Sequence, residues 1–448
     1  MLSKIDNDTV CRVGPGTPMG QLMREYWVPA LLSSELPRPD SDPVRVMLLG
    51  EKLIAFRDTN GHVGVIQNHC PHRGASLFFG RNEEAGLRCV YHGWKFSVDG
   101  SCVDMPNEPA ESDFKSKVKA VAYPCVERNG LIWTYMGERQ TPPPLPDLEA
   151  NNLPEGEYAV TAIQRECNYL QGLEGDIDTS HFSFLHFGAA EADSAQPGTF
   201  QYYTLSHRAP RYQVVDTEFG CMYSAFRPAE AGHLYHRIGL FLLPFWTMIP
   251  TGVLGNQIIA RGWVPMDDQH TMFFNLTPKA RGVQRATAPG MEMHPNTSDW
   301  YGRFRLVSDI TNDYRIDREW QRMKGADYTG IAGIHTQDQA VTETMGPIYD
   351  RTQEHLGSSD AMVIRTRRRL LDAARTLSAN GTTPPGVDHP EYYRQRSGGI
   401  ILRESTSWIE ATADLRKAYV ARPELDPALA GRIGGQQPRK PNATASQS

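Results

Sequence analysis

A Cys-x-His pair followed sixteen residues later by a Cys-x-x-His pair constrains this chain more than any other feature in it. The first pair lies in Asn68-His69-Cys70-Pro71-His72-Arg73-Gly74, the second in Cys89-Val90-Tyr91-His92-Gly93-Trp94. Residues two apart in an extended segment point to the same side, so Cys70 and His72 can face one site. Pro71 restricts the backbone between them. Gly74 and Gly93 permit the tight turns that bring two loops to one place. The flanking periodicity supplies supports for such loops. Val44 to Leu49 and Lys52 to Arg57 are strand-like, and Asn60-Gly61 marks a tight hairpin that needs positive φ at both turn residues. His62 to Gln67 is the return strand. Lys95 to Val98, Asp99-Gly100 and Ser101 to Val103 repeat strand, turn and strand. The first third therefore reads as a small antiparallel β domain. Two Cys and two His also serve structural zinc, so ligand types alone leave the metal open. His62 and His69 fall outside the pattern and read as ordinary strand and loop residues.

At 448 residues the chain is too long for one ordinary core, which points to two domains. A helical arm is expected over 1–26 (its helix from Gln21 to Trp27), the β domain over 27–140, and a linker over 141–155. The linker contains Pro142-Pro143-Pro144-Leu145-Pro146, a run that cannot continue a sheet. A larger domain follows over 156–433, and a disordered tail rich in Gln, Pro, Ser and Asn over 434–448. Within 156–433, Cys167 to Phe187 reads partly as helix, and His236 to Met248 and Gln257 to Trp263 as strands. After Asp299 the pattern is mainly helical, with an amphipathic, Arg-rich stretch from Asp360 to Leu377. The fold class is α+β. A net charge of −6 and a pI near 6.2 give no basic excess for nucleic acid or a membrane surface. No apolar run is long enough to span a bilayer. The first residues lack the apolar core of a signal peptide, so a cytoplasmic location is expected. Seven scattered cysteines are not a disulfide framework; those outside the two pairs read as small buried hydrophobes.

A second constellation lies in Asp178-Thr179-Ser180-His181-Phe182-Ser183-Phe184-Leu185-His186. Two His and one carboxylate on one face of a metal, with positions left open, is the ligand set of non-haem Fe(II) oxygenases. His181 and His186 are five apart, about 140° round an ideal helix, so one metal cannot take both from a regular helix. A distortion is expected at Phe182 to Leu185. Asp178, three residues before His181 and on the same helix face, is better placed behind that imidazole than on the metal.

Both loops of the first constellation hang on hairpins, and each His is C-terminal to its Cys. This is the arrangement of Rieske [2Fe–2S] centres, in which two His replace two Cys on one iron. Cys-Pro-His-Arg-Gly-Ala and Cys-Val-Tyr-His-Gly-Trp resemble the motif of the Rieske ring-hydroxylating oxygenases, and D-x-x-H-x-x-x-x-H resembles their iron-binding segment. Gly14 to Trp27 and Ile331 to Asp360 are similar to the phthalate dioxygenase branch, and the likeness runs from about residue 10 to 420. The resemblance implies a small antiparallel β Rieske domain and a larger α+β catalytic domain with a central antiparallel sheet flanked by helices. It implies that Cys70, His72, Cys89 and His92 hold the cluster, and that His181 and His186 hold a mononuclear Fe(II). The third ligand would come from a late helix. Asp327, Asp338, Glu343 and Asp360 are candidates, and the run Thr336 to Glu343 most resembles the family's ligand helix, which selects Asp338. Asp178 would bridge His181 to His92 of the adjacent chain, within a homotrimer or stacked hexamer. Electrons would come from NADH through a flavin and [2Fe–2S] reductase, with O₂ as co-substrate. The reaction implied is cis-dihydroxylation of an aromatic carboxylate of phthalate or benzoate type, with O-demethylation or diaryl-ether cleavage as the alternative. A substrate carboxylate suits the guanidinium fork. Arg208, Arg227 and Arg261 are candidate anchors, Arg208 first. Phe182, Phe184 and Phe187 flank the ligand histidines as pocket lining or plain core.

Overall fold

The computed structural model describes residues 1–419, apart from 110, 189 and 324–327. The tail expected over 434–448 and the candidate Asp327 lie outside the described residues. Three small antiparallel sheets occupy the first third of the chain. Trp27–Leu32, Leu131–Tyr135 and Cys125–Arg128 form one. Val44–Leu48, Glu51–Arg57, Val63–Gln67 and Ala122–Tyr123 form the second. Arg81–Glu83, Gly86–Arg88, Lys95–Phe96 and Cys102–Asp104 form the third. The hairpin at Asn60-Gly61 is wider than a two-residue turn. Only Gly61 has positive φ, at 86°, and the Asp58 carboxylate closes the loop by accepting from the Asn60 and His62 amides at 2.9 and 2.8 Å.

The larger part is built on an eight-stranded antiparallel sheet. Its order is Tyr158–Arg165, Thr271–Pro278, Ala260–Pro265, Trp246–Met248, His233–Leu242, Gly220–Pro228 and Arg211–Thr217, with Gly398–Arg403 also pairing with His233–Leu242. The single strand expected from His236 to Met248 is two strands, broken around Leu243 to Phe245. The one expected from Gln257 begins at Ala260. The last third is less helical than its pattern suggests, because Gly398–Arg403 returns to the sheet. Gly398 and Gly399 hide that strand by carrying no side chain to mark a period. They are required there: a Cβ on Gly399 would stand 2.5 Å from the Tyr235 hydroxyl oxygen.

The helix Ala361–Asn380 matches the expected amphipathic stretch. It buries Met362, Val363, Leu370, Leu371 and Ala374, and ends at Gly381 in the left-handed region that only glycine enters cheaply. The N-terminal helices Lys4–Cys11 and Pro18–Arg24 lie on it; the second starts three residues before the expected Gln21 because Thr17 caps it and Pro18 opens it. The proline run is pinned to the core rather than free. The Trp27 indole donates to the Pro143 carbonyl at 2.6 Å, Arg128 donates to Pro146 at 2.6 Å, and Glu149 forms a buried ion pair with Arg396. One continuous apolar core runs from Val10 through Trp133 and Trp246 to Trp408, with the two central indoles 5.6 Å apart. Among the described residues, no helix is long and apolar enough to cross a membrane.

Candidate metal centres

The two Cys/His loops repeat one hydrogen-bond pattern. Gly74 donates to the Cys70 carbonyl and Gly93 to that of Cys89, each at 2.9 Å, while Cys70 and Cys89 donate to the carbonyls of Ala75 and Trp94, each at 2.8 Å. Both glycines take positive φ, 77° and 79°. The loops therefore face each other as near copies. Cys70 and Cys89 are buried, and His72 and His92 are half-exposed with ring centroids 4.4 Å apart. Trp94 stacks on His72 at 4.3 Å, its indole donating to Asn107 at 2.7 Å, and Tyr91 lies 3.9 Å from His92. A tetrahedral zinc, with ligands at about 2.0–2.3 Å, draws its donors to within about 4 Å of one another. Among the described residues the only group of three or more such donors all within 4.8 Å is a different one, so these four are spread too widely for one zinc. Two half-exposed imidazoles beside two buried sulfurs suit a two-iron cluster with the histidines on its outer iron.

The compact group is His181, His186 and Asp338. The helix Tyr169–Ile177, capped by Asn168, stops one residue before Asp178, which is extended at φ −83° and ψ 112°. Asp178 and His181 thus do not share a helix face; a turn brings them together instead. The Asp178 carboxylate accepts from the Ser180 amide at 2.7 Å and the His181 amide at 3.3 Å, and lies 3.4 Å from His181 Nδ1. Phe182–His186 is a single π-helical turn, the distortion that the five-residue spacing requires. A turn closed from i to i+5 puts residues five apart on one side. The two imidazole centroids are 5.2 Å apart. Asp338 comes from the helix Ile334–Glu343, its Oδ1 lying 3.2 Å from His186 Nε2 and 3.6 Å from His181 Nε2. Ligand atoms about 2.1 Å from one metal and at right angles to each other lie about 3 Å apart, so the trio fits a single ion.

The electrostatics agree with the geometry. Burial pushes the Asp338 carboxyl up, but the hydrogen bond and charge of His186, with the charge of His181, hold it well below the usual range. At His181 burial pulls down, and the bond to and charge of Asp178 outweigh it and raise the imidazole. Asp178 is correspondingly held low despite its own burial. The other late carboxylates are occupied elsewhere. Glu343 accepts from the Glu166 amide and the Tyr314 hydroxyl, both at 2.8 Å, and Asp360 accepts from the Gly357 amide at 2.6 Å.

Arg208 meets the backbone on either side of His186. Its Nη1 and Nη2 donate to the carbonyls of Ser183 and Ala190 at 2.5 and 2.9 Å, so it braces the π turn. Arg261 is bound to Asp176. Phe182 is buried against Phe187 and Phe200, with its ring 5.1 Å from His186, whereas Phe184 is exposed. Two arginines on the facing strands are different in kind. Arg227 and Arg237 are 1% and 2% exposed, and neither meets a carboxylate among the described residues. Arg237 lies 4.8 Å over the Phe182 ring with Nε and Nη1 unpaired; Arg227 bonds the Thr204 hydroxyl at 3.0 Å and leaves Nε and Nη2 unpaired. Burial and the charge of Arg237 pull the Arg227 guanidinium down to about 10. Arg237 had one visible signal in the sequence: it is the lone cation between Ile238 and the apolar run to Leu243 on one side and Tyr235 on the other. Gln337, beside Asp338, carried no signal; its Oε1 lies 2.7 Å from His186 Nδ1.

Comparison with known proteins adds to this geometry. Residues 26–124 match the Rieske [2Fe-2S] domain and residues 134–426 match the family described as LigXa C-terminal domain like. The chain is 51% identical over 417 residues to the 3-chlorobenzoate-3,4-dioxygenase oxygenase subunit of Comamonas testosteroni, covering 90% of this chain and 96% of the relative. It is 40% identical over 403 residues to the phthalate 4,5-dioxygenase oxygenase subunit of Pseudomonas putida, covering 85% and 88%. In fold it is similar to dicamba monooxygenase bound to dicamba, with a TM-score of 0.53 at 17% identity, over 80% of this chain and 99% of that one.

Proposed function

We propose, for a chain that belongs to the Rieske oxygenase subunits with a LigXa-like C-terminal domain, that it dihydroxylates an aromatic carboxylate of benzoate or phthalate type. The family pairs its cluster with a mononuclear iron and uses O₂ and electrons from a reductase. In this reading Cys70, His72, Cys89 and His92 hold the [2Fe–2S] cluster, and His181, His186 and Asp338 hold the iron. An Fe(II) ion on such a two-His, one-carboxylate face offers open positions for O₂ beside a bound ring.

The observation that carries the carboxylate is the pair Arg227 and Arg237. A buried guanidinium with no anion costs several kcal/mol, and a protein keeps such a group where a ligand supplies the missing charge. Arg237 overlies Phe182, which touches His186, and its charge reaches His181. An anion paired there would set an aromatic ring beside the triad. The anchor thus moves from Arg208, whose donors serve the π turn, to Arg237 and Arg227. The apolar rings of Phe182 and Phe200 would exclude water around that pair.

Asp178 has a separate task. Its carboxylate lies 3.4 Å from His181 Nδ1, and its side chain is about one-quarter exposed. In a ring of three copies that carboxylate would also accept from His92 of a neighbouring copy, coupling the cluster face of one subunit to the triad of the next. The half-exposed position of His92, with exposed Val90 and Tyr91 beside it, suits a covered interface.

A single-turnover assay tests the whole reading. The purified protein is reduced chemically, exposed to O₂ with 3-chlorobenzoate, phthalate and 3-methoxybenzoate, and with the corresponding amides. A product that gains two oxygens and two hydrogens from the acids alone is expected. Loss of the methyl group without ring dihydroxylation would make the chain a demethylating monooxygenase. Equal turnover of the amides would remove the carboxylate.

A further inference from the structure

His186 presents Nε2 towards Asp338 at 3.2 Å, and can donate that lone pair to a metal only if its proton sits on Nδ1. The neighbour of Nδ1 is the side-chain amide of Gln337, at 2.7 Å. An amide is ambiguous, since its oxygen would accept a proton and its nitrogen would offer one. The other end of this amide resolves the ambiguity. Gln337 Nε2 lies 2.9 Å from the carbonyl oxygen of Ile331, an atom that can only accept. The nitrogen must therefore face Ile331 and the oxygen must face His186. Gln337 is 3% exposed, so no solvent competes for either contact. A backbone carbonyl three residues before the ligand helix thus dictates, through one side chain, where the proton of His186 resides.

We infer that Gln337 is the positioning residue that fixes His186 in its metal-binding tautomer and ring orientation. The inference rests on His181, His186 and Asp338 being the iron ligands. Adjacent positions of one helix then perform two jobs: Asp338 meets the metal side of His186 and Gln337 its far side. The two imidazoles have unlike partners, an anion behind His181 and a neutral amide behind His186. Negative charge behind the ligands is thereby concentrated on the side that bears Asp178.

The test uses full-length protein that keeps its oxidised cluster and has its mononuclear metal removed by chelation. Co(II) alone is the probe, read by competition affinity and by the electron paramagnetic resonance of the high-spin ion. Gln337→Leu removes both hydrogen bonds of the amide. Gln337→Glu keeps the acceptor towards His186 and loses the donor towards Ile331. If Gln337 acts through His186, Gln337→Leu weakens Co(II) by roughly ten- to a hundredfold and alters its resonance, while Gln337→Glu binds within about threefold of the parent. Gln337→Met, which preserves side-chain length, carries the same expectation as Gln337→Leu should leucine impair folding. Parent-like affinity and resonance in both apolar variants would overturn the inference. So would a glutamate variant as weak as they are, because the amide would then matter only for its anchor at Ile331. His186→Ala is the control on the premise: if it too leaves Co(II) affinity unchanged, the ligand assignment itself is wrong, independently of Gln337.

Discussion

Replacing Arg237 with Met should stabilise the unliganded protein and disable it. Nε and Nη1 of Arg237 are buried without an acceptor, and each such group costs about 1–3 kcal/mol. Against this stands the guanidinium's attraction to the rings of Phe182 at 4.8 Å and Phe200 at 5.5 Å, about 1–2 kcal/mol for a desolvated contact. Methionine restores most of the apolar packing on those rings. The balance favours the variant by about 1–3 kcal/mol, which for a chain of this length raises the melting temperature by roughly 1–3 °C. Ligand binding moves the other way. Losing one partner of a buried, hydrogen-bonded charge pair costs at least about 3 kcal/mol, or roughly a hundredfold in KM for 3-chlorobenzoate. The assay is a pair of melting curves, with and without the acid, beside steady-state kinetics with a competent reductase. Wild type should melt higher when the acid is present, and Arg237→Met should melt higher without it and gain nothing from it. A variant that melts lower than wild type and keeps its KM would refute the argument, since Arg237 would then be a satisfied structural residue.

Three further outcomes follow from geometry. Asp178→Asn should retain both metal centres, by absorbance and iron content, and slow re-oxidation of the cluster in stopped-flow single turnover by tenfold or more; unchanged kinetics would remove Asp178 from the electron path. Gly93→Ala should lose the red-brown absorbance of the cluster, because its Cβ would stand 2.5 Å from Pro106 Cγ at a φ of 79°. Gly74→Ala, at φ 77° with nothing within 4 Å, bears only a backbone penalty of about 1 kcal/mol and should keep its colour. His236 is buried, its Nδ1 bonded to Ser224 and its Nε2 unpaired, and burial depresses its pKa to about 4. The unfolded chain therefore holds more protons on this residue between about pH 6.5 and 4, and stability falls as pH drops through that window. His236→Gln should flatten the loss of urea resistance between pH 7.5 and 5; an unaltered slope would show that other groups set it.

The cluster loops were legible because they are local. Cys, His and the two glycines with positive φ sit within a few residues of one another, and their spacing states their geometry. The π turn was legible for a related reason, as an offset of five between two histidines that would share one metal leaves no regular helical alternative. Asp338 is 152 positions beyond His186, and the sequence reached it through resemblance rather than spacing. Arg208 illustrates what a sequence conceals. Its cationic fork suits a carboxylate, yet it faces two backbone carbonyls whose directions exist only once the π turn has formed. Gln337 stayed hidden and Arg237 showed only as a cation beside an apolar run, because their importance lies in what surrounds them, missing acceptors for Arg237 and a backbone oxygen for Gln337. The return strand Gly398–Arg403 escaped because glycine has no side chain with which to show a period.

The shared core has a mechanical meaning. Trp133 on the N-terminal side packs against Trp246 of the main sheet, and the backbone of Leu49 and Gly50 donates to Pro265 and Met266. The first helix is tied to the last third of the chain, with Asp6 paired to Arg375 and Asn7 bonded to Tyr349. The part that bears the cluster loops is therefore held to the main sheet by packed side chains and backbone hydrogen bonds as well as by the covalent chain. Limited proteolysis in the Pro-rich connection should accordingly leave the two parts associated, because a cut there removes none of those contacts.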